Sequence, residues 1–152
     1  MTPTDKHPAL RFQVCQQAYA LSVSQVVEVT AMMAATPLAG TAGPAIHGVI
    51  VRRGQPMVVV DLRRAFGCEK APIDLSTLII VIRHGKNWVG FVVDSVQGVI
   101  YFREEETRPA NSETSFVRAV VVVGGTLLQW LYAAAVLAHT LPTDNANSPT
   151  EA

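Results

Sequence analysis

The chain has 152 residues, 49% of them hydrophobic, with 12 Lys/Arg against 12 Asp/Glu. That is enough apolar material for a buried core, and the absence of net charge disfavours a partner held by phosphate, because such binders carry a positive field. The charge is nevertheless uneven: residues 1–70 hold seven basic side chains against four acidic ones, and the remainder five against eight.

In chain order, the opening "MTPTDKHPAL" has no apolar run behind a basic one and reads as no secretory leader. Residues 1–8 and 139–152 ("HTLPTDNANSPTEA") are polar and rich in Pro, Thr and Asn, so they are expected to be flexible tails around a domain spanning 9–138. Apolar alternation and β-branched runs predict strands at 10–15, 19–30, 46–53 and 56–61, then at 77–83, 88–94, 96–102, 117–123 and 126–132. Turns fall at Arg53-Gly54 and in "HGKN", residues 84–87, where glycine supplies the positive φ of a tight hairpin.

The run "AVVVVGGTLLQWLYAAAVLA", residues 119–138, is uncharged and long enough to cross a bilayer as a helix. Gly124-Gly125 in its middle would each weaken a helix by about 1 kcal/mol relative to Ala. Four valines precede them, and the run therefore reads as strand, turn, strand and short helix, with no membrane insertion. The same order occurs in "VIVRRGQPMVVVDLRRAF", residues 49–66: an offset of 71 lays Gly54 on Gly125, Val59 on Trp130 and Phe66 on Leu137. "YALSVSQVVEV" (19–29) falls on "VGFVVDSVQGV" (89–99) with an offset of 70. Two segments with nearly one offset imply an internal duplication. The fold class is all-β: two small five-stranded barrels related by that duplication, sharing an apolar core, with a short helix after each closing strand.

Chemistry is sparse. "AGTAGPAIHG" has the glycines Gly40, Gly43 and Gly48 but no Gly-Lys-Ser/Thr, the four histidines lack ligand spacing, and no serine sits in a nucleophile elbow. No enzyme activity, cofactor or metal is expected. Asp61 before "LRRAF" resembles a helix N-cap, and Asp94 before Ser95 suits a bend. Cys15 and Cys68, far apart and without a CxxC partner, read as two buried thiols. Arg52, Arg53, Arg63 and Arg64 either solvate a barrel edge or offer planar donors to carboxylates of a protein partner. Met32 and Met33 are core filler or the adaptable part of a docking face, and Glu104 to Glu106 form a solvated loop.

The order I-x-G-x-x-x-x-R-G-x-x-x-x-V-V-D-L-R, from "IHGVIVRRGQPMVVVDLRRAFG" at 46–67, resembles the CheW family of chemotaxis coupling proteins. "TPL" at 36–38, "TLIIVI" at 77–82, "VGFVVDSVQGV" at 89–99 and "TRPA" at 107–110 add to it, so that the resemblance runs from Arg11 to Leu137. It implies two interlocked barrels and a non-enzymatic adaptor. The implied partners are a CheA-type histidine kinase and the cytoplasmic tips of chemoreceptors, placing the protein in the cytoplasm at membrane-associated receptor arrays. The implied contact residues are Arg53, before the turn glycine; Val27 and Glu28, on the segment near the receptor groove; and Val99, at the matching place in the second repeat. Arg63 joins them as a candidate for setting register. Three positions depart from the family pattern: Val51-Arg52 replaces Asn-Leu, Ala119 stands where glycine is common, and Tyr132 where an aspartate often follows the last strand. The competing reading is a small-barrel protein binding a ligand or an oligonucleotide, which would interleave aromatic and basic residues on one sheet; Tyr101 and Phe102 adjoin acids instead.

Overall fold

The computed structural model describes residues 6–38, 45–68, 72–110 and 116–140. The first repeat comprises β1 (Lys6–Val14), β2 (Gln17–Ser22), β3 (Val26–Ala31), β4 (Ile46–Arg52), β5 (Gln55–Asp61) and the short helix α1 (Leu62–Ala65). The second comprises β6 (Leu78–His84), β7 (Asn87–Val93), β8 (Ser95–Arg103), β9 (Thr107–Pro109), β10 (Val117–Val123), β11 (Thr126–Leu131) and α2 (Ala133–Thr140). The expected single strand over 19–30 is broken by a 3-10 turn at Val23–Gln25, and the three-residue β9 is additional. The run 119–138 is the β10–β11 hairpin followed by α2, and among the described residues no helix is long and apolar enough to cross a membrane.

Neither repeat closes on itself. The strands form a six-stranded sheet in the order β8-β1-β2-β11-β10-β9 and a five-stranded sheet in the order β3-β6-β7-β5-β4. Each repeat thus keeps its last hairpin and gives its first hairpin to the other: β1 pairs with β8, β2 runs parallel to β11, β3 pairs with β6 and β5 runs parallel to β7. The equivalence extends to irregularities. A bulge on β3 between Val26 and Glu28 has its counterpart on β8 between Val96 and Gly98. In each repeat the last residue before the helix donates its backbone N–H to the residue preceding the hairpin, Asp61 to Ala45 and Tyr132 to Phe116.

This exchange determines where the core lies. One face of each sheet fills its own interior: Ala9, Ala20, Phe102, Val121, Leu128 and Trp130 in one, Met32, Ile50, Met57, Val59, Ile79 and Val92 in the other. The opposite faces of the central strands meet in a shared seam of Phe12, Leu21, Val60, Ile80, Phe91 and Leu131, closed by Leu62 of α1 and Val136 and Leu137 of α2. Strands buried on both faces need no polar alternation, and this explains the continuous runs "MVVV" and "LIIVI". Met32 is core filler, 6% exposed, with Met33 packed beside it.

β1 starts at Lys6, where the His7 ring packs 5.5 Å from Phe102 and 5.3 Å from Trp130, and α2 runs to Thr140, with the His139 ring tilted against that of Phe116 at 5.2 Å. Residues 1–5 and 141–152, like Gly40 and Gly43, lie outside the described residues.

The reading of Cys15 and Cys68 as separate buried thiols is corrected. They form a disulfide with a Cα–Cα distance of 5.9 Å, joining the β1–β2 turn of one sheet to the chain leaving α1 on the other. A bridge across 53 residues leaves no spacing signal in sequence.

The five-stranded sheet curls until its edges meet. Thr36, beyond β3, exchanges backbone hydrogen bonds with Val49 of β4, both 2.8 Å. That approach requires Gly48, because a Cβ there would lie 2.7 Å from the Thr36 carbonyl oxygen. Gly90 packs closely as well, but its added Cβ would meet the flexible end of Met57 at 3.3 Å. Gly48→Ala is therefore expected to destabilise the protein by about 1–3 kcal/mol in chemical denaturation, and to raise amide exchange at Thr36 and Val49. Gly90→Ala should cost less, and the reverse ranking would contradict this account of edge closure.

Candidate partner-binding surface

The β4–β5 turn consists of two residues, Arg53 and Gly54, with φ of 52° and 78°. Positive φ at both central positions defines the type I′ turn that suits the twist of a hairpin, and glycine meets it without strain. The matching turn between β10 and β11 is Gly124-Gly125, with φ of 56° and 80°. An L-residue in the left-handed region costs about 1 kcal/mol or more, so Arg53 occupies a position where its own repeat partner shows the unstrained solution. Its side chain is 66% exposed.

Glu28 reaches this turn from β3, the other edge of the five-stranded sheet. Arg52 Nε donates to Glu28 Oε2, and Arg53 Nη2 donates to Glu28 Oε1 at 3.4 Å. The trio therefore spans the two sheet edges beside the Thr36–Val49 bridge. The hydrogen bond from Arg52, supported by the charges of Arg52 and Arg53 against partial burial, holds the Glu28 carboxyl below the ordinary glutamate range. With one carboxylate satisfying Arg52, the exposed Arg53 guanidinium retains donors for a second acceptor.

The other candidates separate. Val27 is the bulged residue of β3, absent from the register with β6, and its side chain packs against the interior of the five-stranded sheet. Val99 lies on β8, an edge of the six-stranded sheet, and is 51% exposed; Tyr101, two residues on, shares its face at 60% exposure. Val29, the first-repeat counterpart of Val99, is also exposed. Tyr101 and Val29 are absent from the sequence-derived set, although the outward alternation along "VIYFR" carried a signal for Tyr101.

Arg63, expected among the contact residues, is 4% exposed. Asp61, fully buried, accepts from the Arg63 backbone N–H and from its Nε, both at 3.0 Å, and so caps α1 as the sequence suggested. Arg63 Nη1 lies 3.6 Å from Asp94, whose other oxygen accepts from Cys15 N at 2.8 Å. Arg63 thus acts inside the protein, linking α1 to the β7–β8 bend and the β1–β2 turn. At the equivalent of Asp61, Tyr132 lies under Arg118, whose guanidinium is 4.1 Å from the Trp130 ring centroid and 5.1 Å from that of Tyr132.

Tyr101 shares a shallow depression with Lys6, Arg103, Glu105 and Glu106, a mixture of signs in which the acids oppose a phosphate backbone.

Comparison with known proteins agrees with this architecture. The CheW-like domain profile matches residues 8–141. Over 101 residues the chain is 33% identical to the chemotaxis protein CheW of Klebsiella aerogenes, covering 66% of this chain and 60% of that protein. It is 35% identical over 99 residues to CheW of Bacillus subtilis, covering 65% and 63%, and 27% identical over 125 residues to CheW of Rhizobium meliloti, covering 78% and 79%. The matches to the first two relatives thus span less than two thirds of their length. The crystal structure of the scaffolding protein TtCheW from Thermoanaerobacter tengcongensis superposes with a TM-score of 0.78 at 24% identity, over 86% of this chain and 92% of that one, and shares its fold. From the double-sheet architecture and the profile that spans it, the chain belongs to the CheW-like family.

Proposed function

We propose that this protein is a non-enzymatic scaffold that couples a CheA-type histidine kinase to the cytoplasmic tips of chemoreceptors, acting in the cytoplasm at receptor arrays. Family membership supports the adaptor role, and the relatives it matches carry the name of chemotaxis proteins. The observation that carries the reading to specific residues is Arg53: a charged side chain retained at a left-handed turn position, largely exposed, with one neighbouring carboxylate to orient it. Strain of this kind is kept where a side chain has work that a glycine could not do.

In this mechanism the sheets act as rigid presenters. The five-stranded sheet offers Arg53, fixed at its edge by Glu28 and Arg52, and the six-stranded sheet offers the apolar face of Val99 and Tyr101. A guanidinium held by one carboxylate sets register against acidic or carbonyl groups of a partner, while the exposed valine and tyrosine supply apolar contact to a helical hairpin. No bond is made or broken in the coupling.

Arg53→Gly separates function from folding. Stability should change by no more than about 1 kcal/mol, since the turn relaxes as the exposed ion pair is lost. Binding of a CheA-type kinase or of a receptor hairpin, measured by titration calorimetry, should weaken tenfold or more; unchanged affinity for both would remove Arg53 from the contact surface. The Glu28 carboxyl supplies a second check. Its lowered value means that its contribution to stability is complete above the ordinary glutamate range and is lost as pH falls through the folded-state value. Carboxyl NMR titration should place Glu28 below an unperturbed glutamate, and Arg52→Ala should move it upward; a midpoint at or above the ordinary range would contradict the Arg52 pairing.

A further inference from the structure

Two hairpin turns of the first repeat hold non-glycine residues at positive φ: Arg53 in one, Cys15 and Gln16 in the other, with φ of 56° and 68°. In the second repeat the place of Cys15 is taken by Gly85, φ 63°, as that of Arg53 is taken by Gly124. Cys15 thus bears the same conformational cost as Arg53. What it gains is the bond to Cys68, 53 residues away, between a turn of the six-stranded sheet and the chain just after α1 of the five-stranded sheet.

Three features fit this pair for exchange and not only for permanent cross-linking. Both cysteines are half-buried and flanked by the exposed Gln16 and Gly67, so a small thiol or disulfide can approach. The Cys15 Sγ lies 4.0 Å from the Arg63 carbonyl oxygen, an acceptor already in place for the S–H that reduction would create. The surroundings hold without the bond: Cys15 N donates to Asp94 at 2.8 Å, Cys68 N donates to the Arg63 carbonyl at 3.0 Å, and Arg63 is anchored on Asp61. Opening the bridge therefore leaves the shared apolar seam and the ion pairs intact.

We propose that Cys15–Cys68 is a reversible thiol–disulfide clasp between the two sheets, with small-molecule dithiols as reductant and small-molecule disulfides as oxidant. In reduction, a thiolate of the dithiol attacks one sulfur of the bridge, the protein S–S bond breaks, and the other cysteine leaves as a thiolate that takes up a proton. The second thiol of the reagent then resolves the mixed disulfide, so that two electrons pass to the protein and the reagent ends as its own cyclic disulfide. Reoxidation by a small-molecule disulfide reverses the balance and releases two small thiols. The clasp is present at one end of the pseudo-symmetric molecule only, since the second repeat has Gly85 and His139 at the matching positions. Its redox state therefore changes the local stiffness of the β1–β2 turn and the α1 exit without changing the fold.

The test uses the full chain and does not depend on the scaffold reading. Purified protein is equilibrated with oxidised glutathione or with dithiothreitol, thiols are counted under native conditions, and amide exchange is followed by mass spectrometry. The oxidised form should show no titratable thiol and the reduced form two, with unchanged far-UV circular dichroism. Exchange over residues 15–16 and 66–68 should rise at least about tenfold on reduction while β4 and β5 stay protected. Cys15→Gly, which suits the left-handed turn and so folds, should show the reduced-form exchange pattern whatever the reagent. The proposal is overturned if the bridge reduces only at denaturant concentrations that unfold the chain, if oxidised glutathione leaves two free thiols, or if the two forms exchange identically.

Discussion

The structure depends on the exchange of first hairpins between the two repeats. A half-chain of this size buries too small a fraction of its surface to be secure alone. Pairing β1 with β8 and β3 with β6 gives every sheet strands from both halves, so that neither can be completed without the other. The 3-10 turn at Val23–Gln25 and the bend at Asp94 are where the chain leaves one sheet for the other. Phe12, Leu21, Ile80 and Phe91 lie in the seam between the sheets because of that crossing.

Duplication also provides an internal control for each residue. Where both repeats use glycine or an aliphatic side chain, geometry alone explains the choice, as for Gly54 and Gly125. Where one repeat keeps a strained or charged residue and the other does not, something beyond geometry is at work. Arg53 against Gly124, Cys15 against Gly85, and Glu28 against Gly98 are such cases, all in the first repeat. The five-stranded sheet consequently carries the ion cluster at its joined edges, and the first-repeat end of the molecule carries the disulfide.

The sequence displayed the repeat, most of the strands and the hairpin nature of residues 119–138, because alternation and turn glycines are local signals. It could not display the exchange, since a strand has the same apolar pattern whether its partner is in its own half or in the other. Val27 shows a finer limit: the bulge at this residue shifts the phase of β3, so that a valine beside the exposed turn faces the core. Arg63 is buried because Asp94 reaches it from the second repeat and Asp61 lies against it, and only the nearer of those partners is visible along the chain. Arg53, read from its motif, needed its dihedral angle and the contrast with Gly124 before a physical reason for it could be given.

The two tryptophans report on the two sheets separately, Trp88 on β7 in the five-stranded sheet and Trp130 on β11 in the six-stranded sheet. Equilibrium unfolding of the single-tryptophan variants Trp130→Phe and Trp88→Phe, followed by fluorescence alongside far-UV circular dichroism, tests the interlocked core directly. In each variant the fluorescence and dichroism transitions should coincide in midpoint and slope, because neither sheet can lose its strands without dismantling the other. A sheet that melts while its neighbour retains native fluorescence would contradict the shared core.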